Sequence, residues 1–250
     1  MTDAEADADA VADTVAESDA DSDAMPVLLV HGWGGSFATT WERSGFTALL
    51  ADAGRPVIGV DLLGHGAAPK PHDPEAYADL TARVVDALPD RPVDAIGFSL
   101  GALTLLRTAI AAPTRFRRLV LAGIGRNVFE RDEESTARIV AAIEQGGETD
   151  DNRARLFAQY AHQPGNDPIA LAAIMRSGGN GRLRPTDLSS MTTPTLVAVG
   201  DQDFVLPVDE LVDALPNVRL VTLRRTDHFA TPESFDFIDA ALDFLDAIPG

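Results

Sequence analysis

The amino-acid sequence predicts an α/β fold: a mostly parallel sheet of about six strands, with helices on both faces and a helical insertion late in the chain. Three observations carry this. Short apolar β-type runs alternate with longer helix-type runs from residue 26 onward, as parallel strands joined by crossover helices require. The alternation stops between residues 126 and 190, where helix-type runs follow one another without a good strand. At residues 93–106, VDAIGFSLGALTLL, an apolar run passes through a glycine-flanked turn straight into a helical pattern.

Taken in order, residues 1–24 hold nine acidic residues and no basic or aromatic one. Such a segment buries too little apolar surface to offset its ordering entropy, and it is read as a disordered tail preceding one folded domain, 25–250. Strands are expected at 26–30, 56–60, 93–98, 118–123, 195–199 and 218–223. Helices are expected at 40–53, 74–88, 100–112, 207–214 and 231–247, the last opened by Thr231-Pro232-Glu233 with proline at its first position. Within 126–190 the helical runs are 132–145, 151–162 and 167–176, separated by joints such as Gly146-Gly147 and Gly178-Gly179. Ligands of open α/β sheets bind beyond the carboxyl ends of the strands, so this insertion is expected to roof a site as a cap or lid. No hairpin pattern precedes the first strand, and the sheet is expected to be short on that edge.

A chain of 250 residues suffices for one sizeable core. It carries 39 acidic and 20 basic residues, a net charge of −19, and Lys70 is its single lysine. Without the tail the charge is still −10. Such a field repels nucleic acid and anionic membranes, so neither is an expected partner. The composition resembles that of haloarchaeal proteins; an acidic protein from any GC-rich genome is the competing explanation. With no cysteine, disulfides, thiolate catalysis and Cys-based metal sites are excluded. No apolar run has the length of a membrane span and the N-terminus lacks a secretory pattern, so a soluble, cytoplasmic protein is expected. Neither a phosphate-binding lysine loop, a dinucleotide glycine fingerprint nor H-E-x-x-H is present, and no cofactor or metal is expected.

The chemistry centres on Ser99, in the chain's one G-x-S-x-G. The strand ends at Gly97 and a helical pattern begins at Leu100, so Ser99 sits on a sharp strand-to-helix turn. Gly97 and Gly101 remove the side chains that would block so tight a reversal. A serine hydroxyl is a weak nucleophile at neutral pH and needs a base within hydrogen-bond reach, itself oriented by a carboxylate.

GFSLG in this context resembles the nucleophile elbow of the α/β-hydrolase fold, the superfamily of serine esterases, lipases and thioesterases. The resemblance implies the chain order Ser, acid, His. GDQDFVLP after the fifth strand then places Asp203 at the acid position, with Asp201 as a rival, and RTDHF after the last strand places His228 as the base. His31, His65, His72 and His162 do not follow the final strand, and the family uses the histidine matching His31 structurally. LLVHGWGG matches the loop that supplies one oxyanion amide, here Trp33; Leu100 supplies the other. The family usually has glycine where Asp227 stands, so a second carboxylate is expected near the imidazole. Trp33 and Phe229 are candidates for the substrate pocket, and Arg126 for a substrate carboxylate or, alternatively, a solvated or lid-paired cation. An aspartate at the elbow or a lysine in the cap, which dehalogenases, epoxide hydrolases and hydroxynitrile lyases of this fold need, is absent. The implied function is hydrolysis of a small-molecule ester or thioester through an acyl-enzyme. HGWGG with Trp41 resembles both the pimeloyl-carrier methyl-esterase branch and the non-haem haloperoxidase or perhydrolase branch; a weakly hydrolytic binding protein is the further alternative.

Overall fold

The computed structural model describes residues 24–178 and 182–250. The expected tail, apart from Ala24, and Gly179 of the expected second joint lie outside them. Among the described residues six strands form one sheet: β1 (Val27–Val30), β2 (Val57–Val60), β3 (Val93–Phe98), β4 (Phe116–Ala122), β5 (Thr195–Gly200) and β6 (Val218–Leu223). Their order is β2-β1-β3-β4-β5-β6, and every pairing is parallel. The chain enters at β1, steps outward to β2, then crosses back to β3 and continues to the other edge. The loops after β1 and β3 therefore leave in opposite directions and open a crevice at the carboxyl ends of the strands.

Strand periodicity divides the core. Leu28 and Val30, with Ala95, Leu119, Leu121, Val197 and Val199, face one side and pack against α2 (Ala82–Ala87), α3 (Leu100–Ala111) and α8 (Asp209–Ala214). Val27 and Leu29, with Ile96, Val120, Leu196 and Ala198, face the other and pack on α1 (Phe46–Asp52) and α9 (Phe235–Phe244). Both faces of the central strands are buried, which is why they read as continuous apolar runs. Between β4 and β5 stand α4 (Glu133–Glu144), α5 (Asn152–Ala161), α6 (Pro168–Ser177) and the single turn α7 (Pro185–Leu188). The first three share a third apolar cluster of their own, including Ile139, Ile143, Ala158, Leu171 and Ile174, which Tyr77 and Leu80 join from the segment before α2. Leu188 of α7 packs in the main core instead.

Three expected helices are shorter or broken. The run 40–53 is a π-helical stretch, Ala38–Glu42, followed by α1, because Gly45 at φ 77° interrupts it. The run 74–88 is a 3-10 turn, Pro74–Tyr77, and then α2, with Asp79 Oδ1 accepting from Thr81 between them. Thr231-Pro232-Glu233 forms a 3-10 turn, and extended Ser234 precedes α9. β4 begins two residues earlier than expected, directly after the Pro113–Arg115 turn.

At the sheet's opposite end lies a fully buried carboxylate. Asp94 on β3 accepts from both Arg55 and Arg117, with Arg117 Nε at 2.8 Å. Arg55 also donates to the carbonyls of Met25 and Leu245, both at 2.7 Å, tying the start of the sheet to the end of α9. Replacing Asp94 with a neutral residue would leave the buried Arg55 guanidinium without its counter-charge, and breaking a buried pair in this way costs about 3–5 kcal/mol.

Candidate active site

Ser99 links β3 to α3 with φ 49° and ψ −112°, a conformation non-glycine residues rarely hold and one that costs on the order of 1–3 kcal/mol. The turn is held from both sides. Ser99 N–H donates to the Ala122 carbonyl of β4 at 2.8 Å, and its own carbonyl receives the Leu103 amide at 3.0 Å. A Cβ at Gly97 would lie 2.7 Å from the backbone of Ala102, and one at Gly101 would lie 2.5 Å from the His31 carbonyl oxygen. These two glycines let α3 pack directly against the ends of β3 and β1.

His228 follows β6, and its Nε2 lies 2.9 Å from Ser99 Oγ. On its other side, Nδ1 lies 2.9 and 3.0 Å from the two carboxylate oxygens of Asp203. With Nδ1–H donating to Asp203, Nε2 is left to accept the Ser99 hydroxyl proton. Asp203 and His228 are both buried. The Asp203 carboxylate also accepts the Val205 amide at 3.0 Å, which fixes its orientation. Asp201, the rival acid, is exposed and accepts from Thr226 N–H instead. Exposed Asp227 is taken up by the Ala230 amide at 2.9 Å, and its carbonyl accepts the Thr231 hydroxyl at 3.0 Å. In this chain that aspartate stabilises the turn following the histidine.

The loop after β1 abuts the serine: a Cβ on Gly32 would meet Ser99 Cβ at 3.4 Å. His31 braces that loop. Its Nδ1–H donates to the Gly32 carbonyl at 2.7 Å and its Nε2 accepts the Leu62 amide at 3.1 Å. Both His31 and neighbouring His65 are fully buried, with ring centroids 4.9 Å apart. Burial lowers both pKa values, that of His65 further because His31 lies beside it. His72 pairs with Asp167 at 2.8 Å, tying the segment before α2 to α6, and His162 Nδ1–H donates back to the Ala158 carbonyl at 2.8 Å.

Two cavities meet at Ser99 and His228. The larger, about 560 Å³, runs along α3 beneath α4–α6. The smaller, about 150 Å³, is lined by Gly32–Gly35, Phe229 and Tyr160. Trp33 lines both, and its indole N–H donates to the Leu171 carbonyl of α6 at 3.2 Å. Phe229 stacks on Tyr160 with ring centroids 4.8 Å apart. Arg126 lines the larger cavity and donates to the Phe204 carbonyl at 3.2 Å. Leu100 lines that cavity too, and its amide opens α3, where the first amides have no intrahelical acceptor.

Sequence reasoning missed Phe204, whose ring lies 4.4 Å from that of His228, and Phe157, which touches Trp33, Phe204 and Phe229. Phe204 was available as the residue next to Asp203. Phe157 carried no signal, because only the folding of α5 over the crevice brings it to the site.

A family model described as the alpha/beta hydrolase family matches residues 27–241. Among curated relatives, the pimeloyl-[acyl-carrier protein] methyl ester esterase of Neisseria meningitidis serogroup A is 29% identical over 252 residues, spanning 87% of this chain and 78% of that protein. Its namesake from Methylococcus capsulatus is 30% identical over 77% of this chain and 82% of its own length. Among solved structures, the enol-lactonase from Burkholderia xenovorans LB400 superimposes with a TM-score of 0.72 at 20% identity, covering 91% of this chain and 94% of that one.

Proposed function

The chain belongs to the alpha/beta hydrolase family, and from that premise we propose that it is a serine hydrolase cleaving a carboxylic ester or thioester through an acyl-enzyme. The observation that carries this reading is the continuous contact from Ser99 Oγ through His228 to the buried Asp203, at 2.9 Å on each side of the imidazole, opening into a cavity. Relatives named as methyl ester esterases support the ester class.

In this mechanism His228 Nε2 takes the Ser99 proton as Oγ attacks the ester carbonyl carbon. The carbonyl π electrons move to oxygen, and the backbone amides of Leu100 and Trp33 stabilise that oxyanion. Collapse of the intermediate breaks the bond to the alcohol or thiol, which leaves with the proton held on His228. Water then repeats the sequence on the acyl-enzyme and releases the acid. Asp203 keeps the proton on Nδ1 and stabilises the imidazolium formed in each half. Trp33 and Phe229 border the carbonyl position, and α4–α6 act as the cap that excludes water.

An intact relay supports turnover over mere binding. The test is hydrolysis of p-nitrophenyl esters of increasing acyl length. We expect saturable turnover that falls by several orders of magnitude in both Ser99→Ala and His228→Ala, since these groups act as a unit. Activity retained in either variant would overturn the assignment.

A further inference from the structure

The turn that carries the Trp33 amide is held from the cap as well as from the sheet. Gly35 N–H donates to the Gly32 carbonyl at 3.1 Å, which closes a four-residue turn over Gly32–Gly35. Gly34 takes its third position with φ 74°, as a type II turn requires. The cap reaches this turn from two places. Trp33 Nε1–H donates to the Leu171 carbonyl of α6. Asn166, in the joint between α5 and α6, donates from Nδ2 to the Gly34 carbonyl at 2.8 Å and to the Tyr160 carbonyl, in the last turn of α5, at 2.9 Å. Both acceptors are carbonyl oxygens, so the nitrogen end of the side-chain amide faces them. The backbone of the turn also lies against α5: a Cβ on Gly34 would meet Tyr160 Cβ at 3.5 Å.

These bonds run in series. A trans peptide is planar, with its C=O and N–H pointing in opposite directions. Asn166 donates into the carbonyl of the Gly34–Gly35 peptide, and the N–H of that same peptide donates into the carbonyl of the Gly32–Trp33 peptide. The free end of the second peptide is the Trp33 N–H. His31 Nδ1–H joins at the Gly32 carbonyl, at 2.7 Å. Each bond in such a chain polarises the next, by about 10–30% per bond. Each also fixes a peptide plane, and with it the direction in which the last N–H points. His31 acts from the loop after β1, where the Leu62 amide holds its other nitrogen. Asn166 brings the cap insertion into the same chain.

We propose that Asn166 is a positioning residue for ester hydrolysis, which aims and polarises the Trp33 amide through the Gly35 and Gly32 peptides. This rests on the hydrolase reading and adds a residue to its machinery. The effect falls on the transition state, where charge develops on the substrate carbonyl oxygen. Binding of the ground-state ester draws instead on the lining of the two cavities, which Asn166 does not join.

The test compares Asn166→Asp with wild type. The substitution keeps the shape of the side chain but replaces the donor with an oxygen facing two carbonyls. On a p-nitrophenyl ester, kcat should fall about tenfold or more, short of the roughly 10²–10³-fold that follows outright loss of an oxyanion donor, with KM held within about threefold. An alkyl trifluoromethyl ketone adds to Ser99 Oγ as a tetrahedral oxyanion, the serine proton passing to His228. Its inhibition constant should rise by the factor by which kcat/KM falls. His72→Ala cuts another tie of the same joint, the pair with Asp167, and should keep kcat within about twofold. In the free protein, the Trp33 amide proton should move upfield in Asn166→Asp and stay in place in His72→Ala, read by nitrogen–proton correlation NMR. Should Asn166→Asp fail to fold, Asn166→Ala, which only removes the donor, carries the same expectations. An unchanged kcat, a kcat loss without a matching change in ketone inhibition, or an equal loss in His72→Ala would overturn the inference while leaving hydrolysis standing. A wild type that neither hydrolyses the ester nor binds the ketone would overturn the hydrolase reading, and the inference would fall with it.

Discussion

Replacing Gly101 with alanine tests how the fold positions the amides proposed to hold the oxyanion. The added Cβ would lie 2.5 Å from the His31 carbonyl oxygen and closer still to that of Val30, where ordinary contact begins at 3.4 Å. Both obstacles are backbone at the end of β1, so no side chain can swing away. Relief needs the start of α3 to retreat from β1 by about 1 Å, which carries the Leu100 amide away from the Trp33 amide. Overpacking of this kind costs about 1–3 kcal/mol, of which alanine's better helix propensity returns at most about 1 kcal/mol. The melting temperature should fall by several degrees, at roughly 2–4 °C per kcal/mol for a domain of this size. The activity loss should be larger in proportion: a misplacement of about 1 Å costs on the order of 100-fold in rate. The assay pairs thermal unfolding with kcat on a p-nitrophenyl ester. A variant that keeps kcat within twofold of wild type would refute the link between this close approach and oxyanion geometry.

Further expectations follow from the same contacts. Asp203→Asn should lower kcat by up to about 10⁴, through loss of the correct His228 tautomer, whereas Asp201→Asn should have a small effect; equal losses in the two would reassign the acid. His31 and His65 are held neutral by burial, with pKa values lowered below the ordinary 6.5. The unfolded chain therefore binds more protons than the folded one as pH drops through that value, and stability should be full above it and fall below it, by up to about 1.4 kcal/mol per pH unit for each histidine. Unfolding in urea from pH 7.5 to 5 checks this, and a midpoint that is flat or rises toward pH 5 would contradict it. We also propose that the acidity limits stability at low salt. The melting temperature should rise steeply up to about 0.1 M of any monovalent salt, as repulsion is screened, then more gently and in an ion-specific way; a value constant from low salt to molar KCl would count against this.

The parts of the fold legible in the sequence were those where one local rule dominates. The central strands are buried on both faces and read as unbroken apolar runs. The Ser99 turn is specified by two glycines whose missing Cβ atoms are required by backbone lying 2.7 Å away or closer. That Asp203 and His228 approach Ser99 was legible only through the family resemblance, whose implied chain order narrows each to the loop after one strand. Helix lengths were less legible, since periodicity continues through Gly45 and Asp79 although backbone geometry does not. The lining of the cavity was the least visible. Phe157, Arg153 and Arg131 come from separate turns of the insertion, and only the packing of α4–α6 on Tyr77 and Leu80 brings them over the crevice.

The central claim is that Ser99 carries the acyl group, and the most direct measurement is intact-protein mass spectrometry with peptide mapping after treatment with a fluorophosphonate probe. One adduct should form per chain and map to Ser99, form slowly or not at all in His228→Ala, and be absent in Ser99→Ala. Equal labelling of wild type and Ser99→Ala, or an adduct mapping to another residue, would contradict the account.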